Sequence, residues 1–270
     1  MDRPICEIKM LPPERWAAAA RDASGINPAN APSLDMLRLG ATDVAIAPLH
    51  AALLTAKYWG ARGVQLTVGF MEDAAADLRA RILSHMNAWG QWANVTFAET
   101  ATDPQVRIAM LTGEDGGYWS YVGTDILGVA ADEPTMNLEG FTMDTPESEF
   151  VRVVRHEAGH TLGFPHEHMR KEIVDRIDPE SAIRYFMERY GWNREKVISN
   201  VLTPLPMSAL LATAEADSRS IMCYWLPASI MKDAMAVEGG LDVSPQDAQF
   251  VAQLYPIATP SAVLSPERQS

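Results

Sequence analysis

The sequence predicts an α+β fold, in which a first half containing strands is followed by a second half of helices and loops. Residues 64–70 alternate apolar and polar side chains, as a half-buried strand does. Residues 73–92 place apolar side chains at helical spacing, which predicts a helix directly after that strand. Beyond residue 145, helix caps and turn residues dominate the chain.

The other elements of the first half are shorter. Residues 95–98 and 105–110 are rich in apolar and β-branched side chains, which predicts two further strands. Residues 126–130 show a weaker pattern of the same kind and are predicted as a fourth strand. Residues 13–21 carry a short helical pattern, and residues 25–32, rich in Pro and Asn, are expected to form a linker.

A long helix is predicted to begin at Thr145 as N-cap, with Pro146 in the first helical position, and to end at Gly163. Three later helices are predicted from their caps, which are Asp178, Asn193 and Ser244; the last of these helices should end near Tyr255.

Composition restricts the function classes. The chain has 270 residues, 47% of them hydrophobic, and a formal net charge of −13. Such a charge repels phosphate backbones and anionic lipid headgroups, so neither nucleic acid nor a membrane is an expected partner. The first residues carry charges and prolines where a secretory signal needs an apolar run. We therefore expect a protein that is cytoplasmic or exported by a non-classical route, of undetermined oligomeric state.

Four of the six histidines lie within residues 156–168. On a helix, His156 and His160 are four residues apart and present two imidazoles on one face. Glu157 points about 100° round the helix, so it is expected beside a metal rather than bound to it. Gly163 can adopt a left-handed backbone and return His166 as a third metal ligand.

Three neutral imidazoles leave one position open on a four-coordinate Zn²⁺, which is typical of a catalytic site. A water in that position would be activated by the ion, and Glu157 can accept its proton and pass it to a leaving amine. The sequence therefore predicts one catalytic zinc ion, held by His156, His160 and His166, and the hydrolysis of peptide bonds.

The pattern H-E-x-x-H-x-x-G-x-x-H in residues 156–166, with Met222 downstream, is similar to the metzincin signature. Within that clan, residues 163–170 and 220–224 resemble the astacin family. The resemblance implies that Met222 forms a hydrophobic floor beneath the metal. It also implies that Tyr224 is a mobile fifth ligand, catalytic because it stabilises the tetrahedral intermediate.

The resemblance covers about residues 58–256. It implies a metzincin catalytic domain, residues 54–257, with a twisted mixed sheet and the active-site helix above, a helix-and-loop subdomain below, and zinc in the cleft between them. Residues 1–53 are then an N-terminal extension and residues 258–270 a flexible tail. Residues 117–123 resemble the loop before the family's edge strand, where an extended substrate adds as a further strand; an aromatic loop that fills the core is the alternative.

Several residues near the motif have two interpretations. Glu167 either pairs with the new N-terminus left by removal of a pro-segment, as in the family, or bonds to its own loop. His168 lies either beside the metal site or in solvent. Cys6 can be a fourth zinc ligand that keeps the enzyme latent, a buried apolar residue, or the disulfide partner of Cys223. Extracellular astacins carry two disulfides, which two cysteines cannot supply, so the bacterial or intracellular branches are more similar.

The resulting hypothesis is a zinc endopeptidase that acts on protein or peptide substrates with Glu157 as general base. Two alternatives stay open. One is a catalytically silent zinc-binding or peptide-binding module of the same fold, and the other is a metal-dependent amidase acting on non-protein amides.

Overall fold

The computed structural model describes residues 6–31, 55–205 and 215–257. Six strands occur within these ranges: β1 (Cys6–Lys9), β2 (Val64–Phe70), β3 (Val95–Glu99), β4 (Val106–Ala109), β5 (Tyr118–Tyr121) and β6 (Met136–Leu138). The α-helices are α1 (Pro13–Ile26), α2 (Ala76–Met86), α3 (residues 147–161), α4 (Lys171–Val174), α5 (Pro179–Tyr190), α6 (Arg194–Val197) and α7 (Pro245–Leu254). None of the helices in the described ranges is long and apolar enough to span a bilayer.

The six strands form one mixed sheet in the order β1-β5-β6-β4-β2-β3. Strands β6, β4, β2 and β3 run parallel to one another, whereas β5 is antiparallel to β6. Strand β1 lies outside β5 and parallel to it, with Cys6 opposite Tyr118. The N-terminal segment therefore covers the edge that β5 would otherwise expose.

The α+β prediction is confirmed, and the predicted strands at residues 64–70, 95–98 and 105–110 all lie in the one sheet. The strand predicted at 126–130 is wrong, since residues Gly123–Gly128 form a 3₁₀ helix that buries Ile126. Residues 117–123, expected as a loop before the edge strand, contain β5 itself, and β1 is the strand at the edge. Sequence patterns do not predict the short strands β1 and β6, because three or four residues are too few to show an alternation.

Most predicted helix boundaries agree with the structure. Asp178 and Asn193 accept backbone N–H groups at the starts of α5 and α6, and Ser244 forms a reciprocal capping box with Asp247 at the start of α7. Thr145 is not an N-cap: its hydroxyl accepts from the N–H of Thr142. The predicted linker at residues 25–32 is partly helical, because α1 continues to Ile26 and Pro28–Asn30 form a 3₁₀ turn.

Helix α3 has three parts, which are an α-helical turn at Glu147–Glu149, a π-helical turn at Phe150–Val154 and a second α-helical part at Arg155–Thr161. A π-turn contains an extra residue and so rotates the following residues about the helix axis. In α3 it directly precedes the part that carries His156 and His160.

The two largest hydrophobic cores of the described residues differ in the elements that they join. The larger core joins the sheet, α2 and α3, and it includes Ile82, Trp89 and Phe150. The smaller joins α5, the residues after α6 and the segment after residue 222, and it includes Phe186 and Leu226. The chain passes from the larger core to the smaller between Met222 and Cys223. Two cores agree with the two subdomains that the resemblance implies.

The division into residues 1–53, 54–257 and 258–270 stays a prediction. Residues 1–5 and 32–54 and the expected tail, 258–270, lie outside the described residues. The described part of the extension packs on the rest of the chain, with Leu11 and Ala19 against Val129.

Replacing Gly163 by Ala should lower the free energy of unfolding by about 1–3 kcal/mol. Gly163 has a φ of +102°, and an added Cβ would lie 3.0 Å from Cδ1 of Tyr58 and 3.1 Å from the carbonyl oxygen of Lys57. Chemical denaturation measures the change. Gly25→Ala is the matched control, because nothing lies within 4 Å of its added Cβ; an unchanged midpoint for Gly163→Ala would contradict the prediction.

Candidate metal centre and active site

The structure brings His156, His160 and His166 to one point. The first two lie on successive turns of α3, and the left-handed residue Gly163 ends the helix so that His166 returns beneath it. The Nε2 atom of His166 lies 3.3 Å from Nε2 of His156 and 3.0 Å from Nε2 of His160. Three ring nitrogens bound to one tetrahedral zinc ion would be separated by about 3.3 Å, given Zn–N bonds of about 2.0–2.1 Å.

Hydrogen bonds fix which ring nitrogen of two histidines carries the proton. Nδ1 of His156 donates to the carbonyl oxygen of Ile221 at 2.6 Å, and Nδ1 of His160 donates to that of Phe164 at 2.7 Å. Their Nε2 atoms therefore carry lone pairs that face His166. Burial lowers the pKa of His156 to about 4 and the pKa values of His160 and His166 well below the ordinary range. Neutral imidazoles with converging lone pairs fit a cation.

Cys6 supplies a fourth possible ligand. Its sulfur and the nitrogens of His156, His160 and His166 all lie within 4.8 Å of one another, and all four residues are buried. Burial, and then the nearby Glu157 carboxylate, raise the pKa of the Cys6 thiol, so a thiolate here needs a cation to offset these effects. Zn²⁺ binds such a mixture of imidazole and thiolate ligands well. Both cysteines are free, so no disulfide joins Cys6 to Cys223.

Glu157 lies beside the imidazoles and outside the ligand set. It is fully buried, and its Oε2 accepts a hydrogen bond of 2.6 Å from the hydroxyl of Ser120 on β5. Its Oε1 is buried without a hydrogen-bond partner among the described residues. Burial raises the pKa of Glu157 to about 7, against the opposing effects of the neighbouring Cys6 and Ser120 side chains. A carboxylate with this pKa can both accept and release a proton near neutral pH.

Tyr224 belongs to the smaller hydrophobic core and lies next to His166 and Cys6. Its ring centroid is 4.5 Å from that of His166, and its hydroxyl donates to the carbonyl oxygen of Cys6. The phenol is buried, and this burial raises its pKa, so it stays a hydrogen-bond donor. The structure thus places Tyr224 beside Cys6, whose sulfur lies among the nitrogens of His156, His160 and His166.

The turn before Tyr224 packs against the motif helix. Met222 is buried, and a Cβ on Gly159 would lie 2.5 Å from its sulfur, so only glycine at position 159 allows this approach. The turn is held by Asp247 of α7, which accepts from the hydroxyl of Ser220 and the N–H of Ile221. Asp247, the partner of Ser244 in the capping box of α7, therefore also fixes Ile221, whose carbonyl orients His156.

The structure places Glu167 and His168 differently. Glu167 is partly buried and accepts from the N–H of Asp217 at 3.0 Å and from Arg170 at 3.3 Å, so in this form it is bonded within the protein. Burial raises its pKa to about 7. His168 is fully buried and donates from Nε2 to the carbonyl oxygen of Asn200. Its ring centroid is 5.0 Å from that of His166, so it lies beside the histidine cluster and not in solvent.

Sequence analysis missed two contributors to the site. Ser120 falls within an aromatic segment, and a serine in a strand carries no signal that it faces a carboxylate 37 residues away. Asn200 lies in a π-helical turn at Ile198–Leu202, a departure from helical geometry that sequence patterns do not predict.

Comparisons with known proteins agree with this geometry. The profile of the astacin family of peptidases matches residues 54–181. The chain is 34% identical over 93 residues to the zinc metalloproteinase nas-27 of Caenorhabditis elegans, which is 34% of this chain and 19% of that protein. It is 29% identical over 129 residues to nas-38 of the same organism, 48% of this chain and 15% of that protein. The chain thus spans less than a fifth of the length of these curated relatives.

The structural comparison covers more of the chain. A structure of myroilysin superposes with a TM-score of 0.69 at 29% sequence identity, over 75% of this chain and 97% of that one. Family profile, fold and a histidine cluster that fits zinc agree with one another. In sequence, fold and histidine cluster the chain is therefore similar to the astacin family of zinc metallopeptidases.

Proposed function

We propose that this chain is a zinc-dependent endopeptidase that hydrolyses peptide bonds with Glu157 as general base, and that its own N-terminal segment keeps it latent. The convergence of His156, His160 and His166 beside a buried carboxylate carries the proposal. Peptide hydrolysis needs an electrophile for the carbonyl, a base for the attacking water and a proton for the leaving nitrogen.

Bound zinc would supply Lewis acidity toward the carbonyl oxygen and the attacking water. Glu157 takes the proton of that water on one carboxylate oxygen and releases it to the leaving nitrogen. Ser120 supports this step, because its hydrogen bond to Oε2 holds the carboxylate in one orientation and leaves Oε1 for proton transfer. The buried surroundings keep competing water away from the carboxylate.

Tyr224 provides the second polar group of the reaction. Its phenol is neutral, buried and close to His166, so it can donate a hydrogen bond to the oxyanion that develops on the substrate carbonyl. The edge of β5 offers backbone N–H and C=O groups to an extended substrate, which would then lie as an added strand beside the metal ligands.

The described form does not admit such a substrate. Strand β1 already pairs with β5 at the edge where an extended peptide would add. Cys6 brings its sulfur to the three imidazoles and its carbonyl oxygen to the Tyr224 hydroxyl. Glu7, the next residue, is ion-paired with Lys196 at 2.5 Å. A few consecutive residues thus contact the metal ligands, the oxyanion donor and the substrate edge, which supports latency.

Replacing Cys6 by Ser should raise the cleavage rate of a fluorogenic peptide by at least about tenfold, because a hydroxyl is a much weaker zinc ligand than a thiolate. The cleavage should disappear with a chelator and return with added zinc. Cys223→Ser is the matched control, since Cys223 is also buried and free but is not among the metal-ligating atoms. Equal activity of the Cys6 variant and its parent would end the latency hypothesis.

The same assay separates the alternatives. Stoichiometric zinc in the Cys6→Ser chain with no chelator-sensitive cleavage of any peptide in a library would favour a silent binding module. Cleavage of small non-peptide amides but not of the library would favour the amidase.

A further inference from the structure

His168 is a buried imidazole that the hydrolytic mechanism does not use. Its ring lies flat against the ring of Tyr224, with the centroids 3.9 Å apart and the planes 19° apart. At this separation the two rings are in contact over their faces. The Tyr224 ring is tilted by 54° to the ring of His166. Tyr224 therefore stacks on His168 and not on His166.

His168 is itself held at two points. Its backbone belongs to the 3₁₀ turn Glu167–Met169, which follows directly from the metal ligand His166. Its Nε2 donates to the carbonyl oxygen of Asn200 at 2.9 Å. The His168 side chain is thus held at its backbone and at Nε2, so its ring cannot rotate freely about the side-chain bonds.

Asn200 offers a suitable anchor. It lies in the π-turn Ile198–Leu202, near the end of a helical segment, where backbone carbonyls lack regular helical partners. Its side-chain amide donates to the carbonyl oxygen of Lys196 at 3.1 Å and to the hydroxyl of Ser199 at 3.0 Å, which fixes the residue from the other side. The π-turn thus presents one carbonyl to His168.

The stack limits the motion of the Tyr224 ring. A phenol attached through two rotatable bonds moves its hydroxyl through a wide arc, and a parallel neighbour in face contact removes the rotations that tilt the ring. Motion parallel to the face of His168 stays possible. Such a motion would let the Tyr224 hydroxyl leave the carbonyl oxygen of Cys6, to which it now donates, while the ring stays stacked on His168.

We propose that His168 is a positioning residue for Tyr224, whose phenol it holds, through a stacked ring anchored on Asn200, in the orientation that stabilises the oxyanion. This inference rests on the proposed function, because it assigns His168 a role only through Tyr224.

Two substitutions separate the ring from the hydrogen bond, each made in the Cys6→Ser chain. His168→Gln keeps an amide donor for the Asn200 carbonyl and removes the ring, so kcat should fall by about tenfold with KM changed by less than about twofold. His168→Phe keeps a stacked ring and removes the hydrogen bond that anchors it, so its kcat should lie between that of His168→Gln and that of the parent, even if its stability falls. The reverse order, with Phe inactive and Gln unaffected, would overturn the proposal.

A double-mutant cycle tests whether the effect passes through Tyr224. Tyr224→Phe should lower kcat by about 10²-fold, as loss of an oxyanion donor does. In that background His168→Gln should have no further effect, and a full additional loss would mean that His168 acts elsewhere. If Tyr224→Phe leaves kcat unchanged, the oxyanion role and this inference both fail, while the endopeptidase proposal stands as long as Glu157→Gln still abolishes cleavage.

Binding supplies a readout that does not depend on turnover. A phosphinic peptide mimics the tetrahedral intermediate, and its affinity, measured by calorimetry, should fall in His168→Gln in proportion to kcat. The affinity for the corresponding product peptide and the zinc content should equal those of the Cys6→Ser parent. Equal loss of affinity for both peptides, or loss of zinc, would show that His168 only maintains the local fold.

Discussion

Replacing Glu157 by Gln in the Cys6→Ser chain should lower kcat by about 10²–10⁴-fold, the range that general acid–base catalysis contributes. Gln has the same size, and its amide oxygen can accept the hydrogen bond that Ser120 now donates to Oε2. The substitution thus removes the base and its charge while the packing around it is kept. Steady-state kinetics on a fluorogenic peptide measure the loss, with KM expected to change little.

Zinc content distinguishes catalysis from folding in this experiment. Glu157 is outside the ligand set, so the Gln variant should bind as much zinc as its parent. Glu147→Gln is the control, because Glu147 begins the same helix but pairs at its exposed end with Arg81 and His85. If Glu157→Gln and Glu147→Gln have the same kcat, Glu157 is not the general base.

The metal-binding motif was predictable because its geometry is local. The spacing of His156 and His160 on a helix, the glycine at 163 and the return of His166 all depend on residues within one short segment. Helix caps were predictable for the same reason, as Asp178, Asn193 and Ser244 bond to backbone N–H groups only three residues ahead.

The partners of the motif come from distant parts of the chain, and their positions depend on tertiary packing. Ser120 reaches Glu157 only because β5 lies over α3, and Asn200 reaches His168 across 32 residues. Cys6 shows the limit most clearly. From the sequence, zinc ligation by the Cys6 thiolate is one of three interpretations. The pairing of β1 with β5 brings Cys6 to the histidines, and a strand of four residues is too short to be predicted from its sequence pattern.

Replacing His160 by Ala should remove stoichiometric zinc from the Cys6→Ser chain and with it all chelator-sensitive cleavage. His160 is fully buried. Its Nε2 faces His166, and its Nδ1 donates a hydrogen bond to the carbonyl oxygen of Phe164. No other imidazole on α3 can replace it, since His156 already contributes its own Nε2. Elemental analysis after dialysis measures the zinc.

Stability provides the second measurement for His160→Ala. A ligand present at about 1,000 times its Kd stabilises the folded state by about 4 kcal/mol, so zinc should raise the unfolding midpoint of the parent strongly. The cavity left by Ala lowers stability with or without zinc, so the informative quantity is the shift caused by zinc, which should vanish in the variant. His85→Gln is the control, because His85 is also buried but packs on Phe150 away from the ligands, and its zinc-induced shift should equal that of the parent. If zinc raises the unfolding midpoint of His160→Ala as much as that of the parent, the ion binds elsewhere. The three imidazoles would then not be the ligands of a catalytic zinc ion.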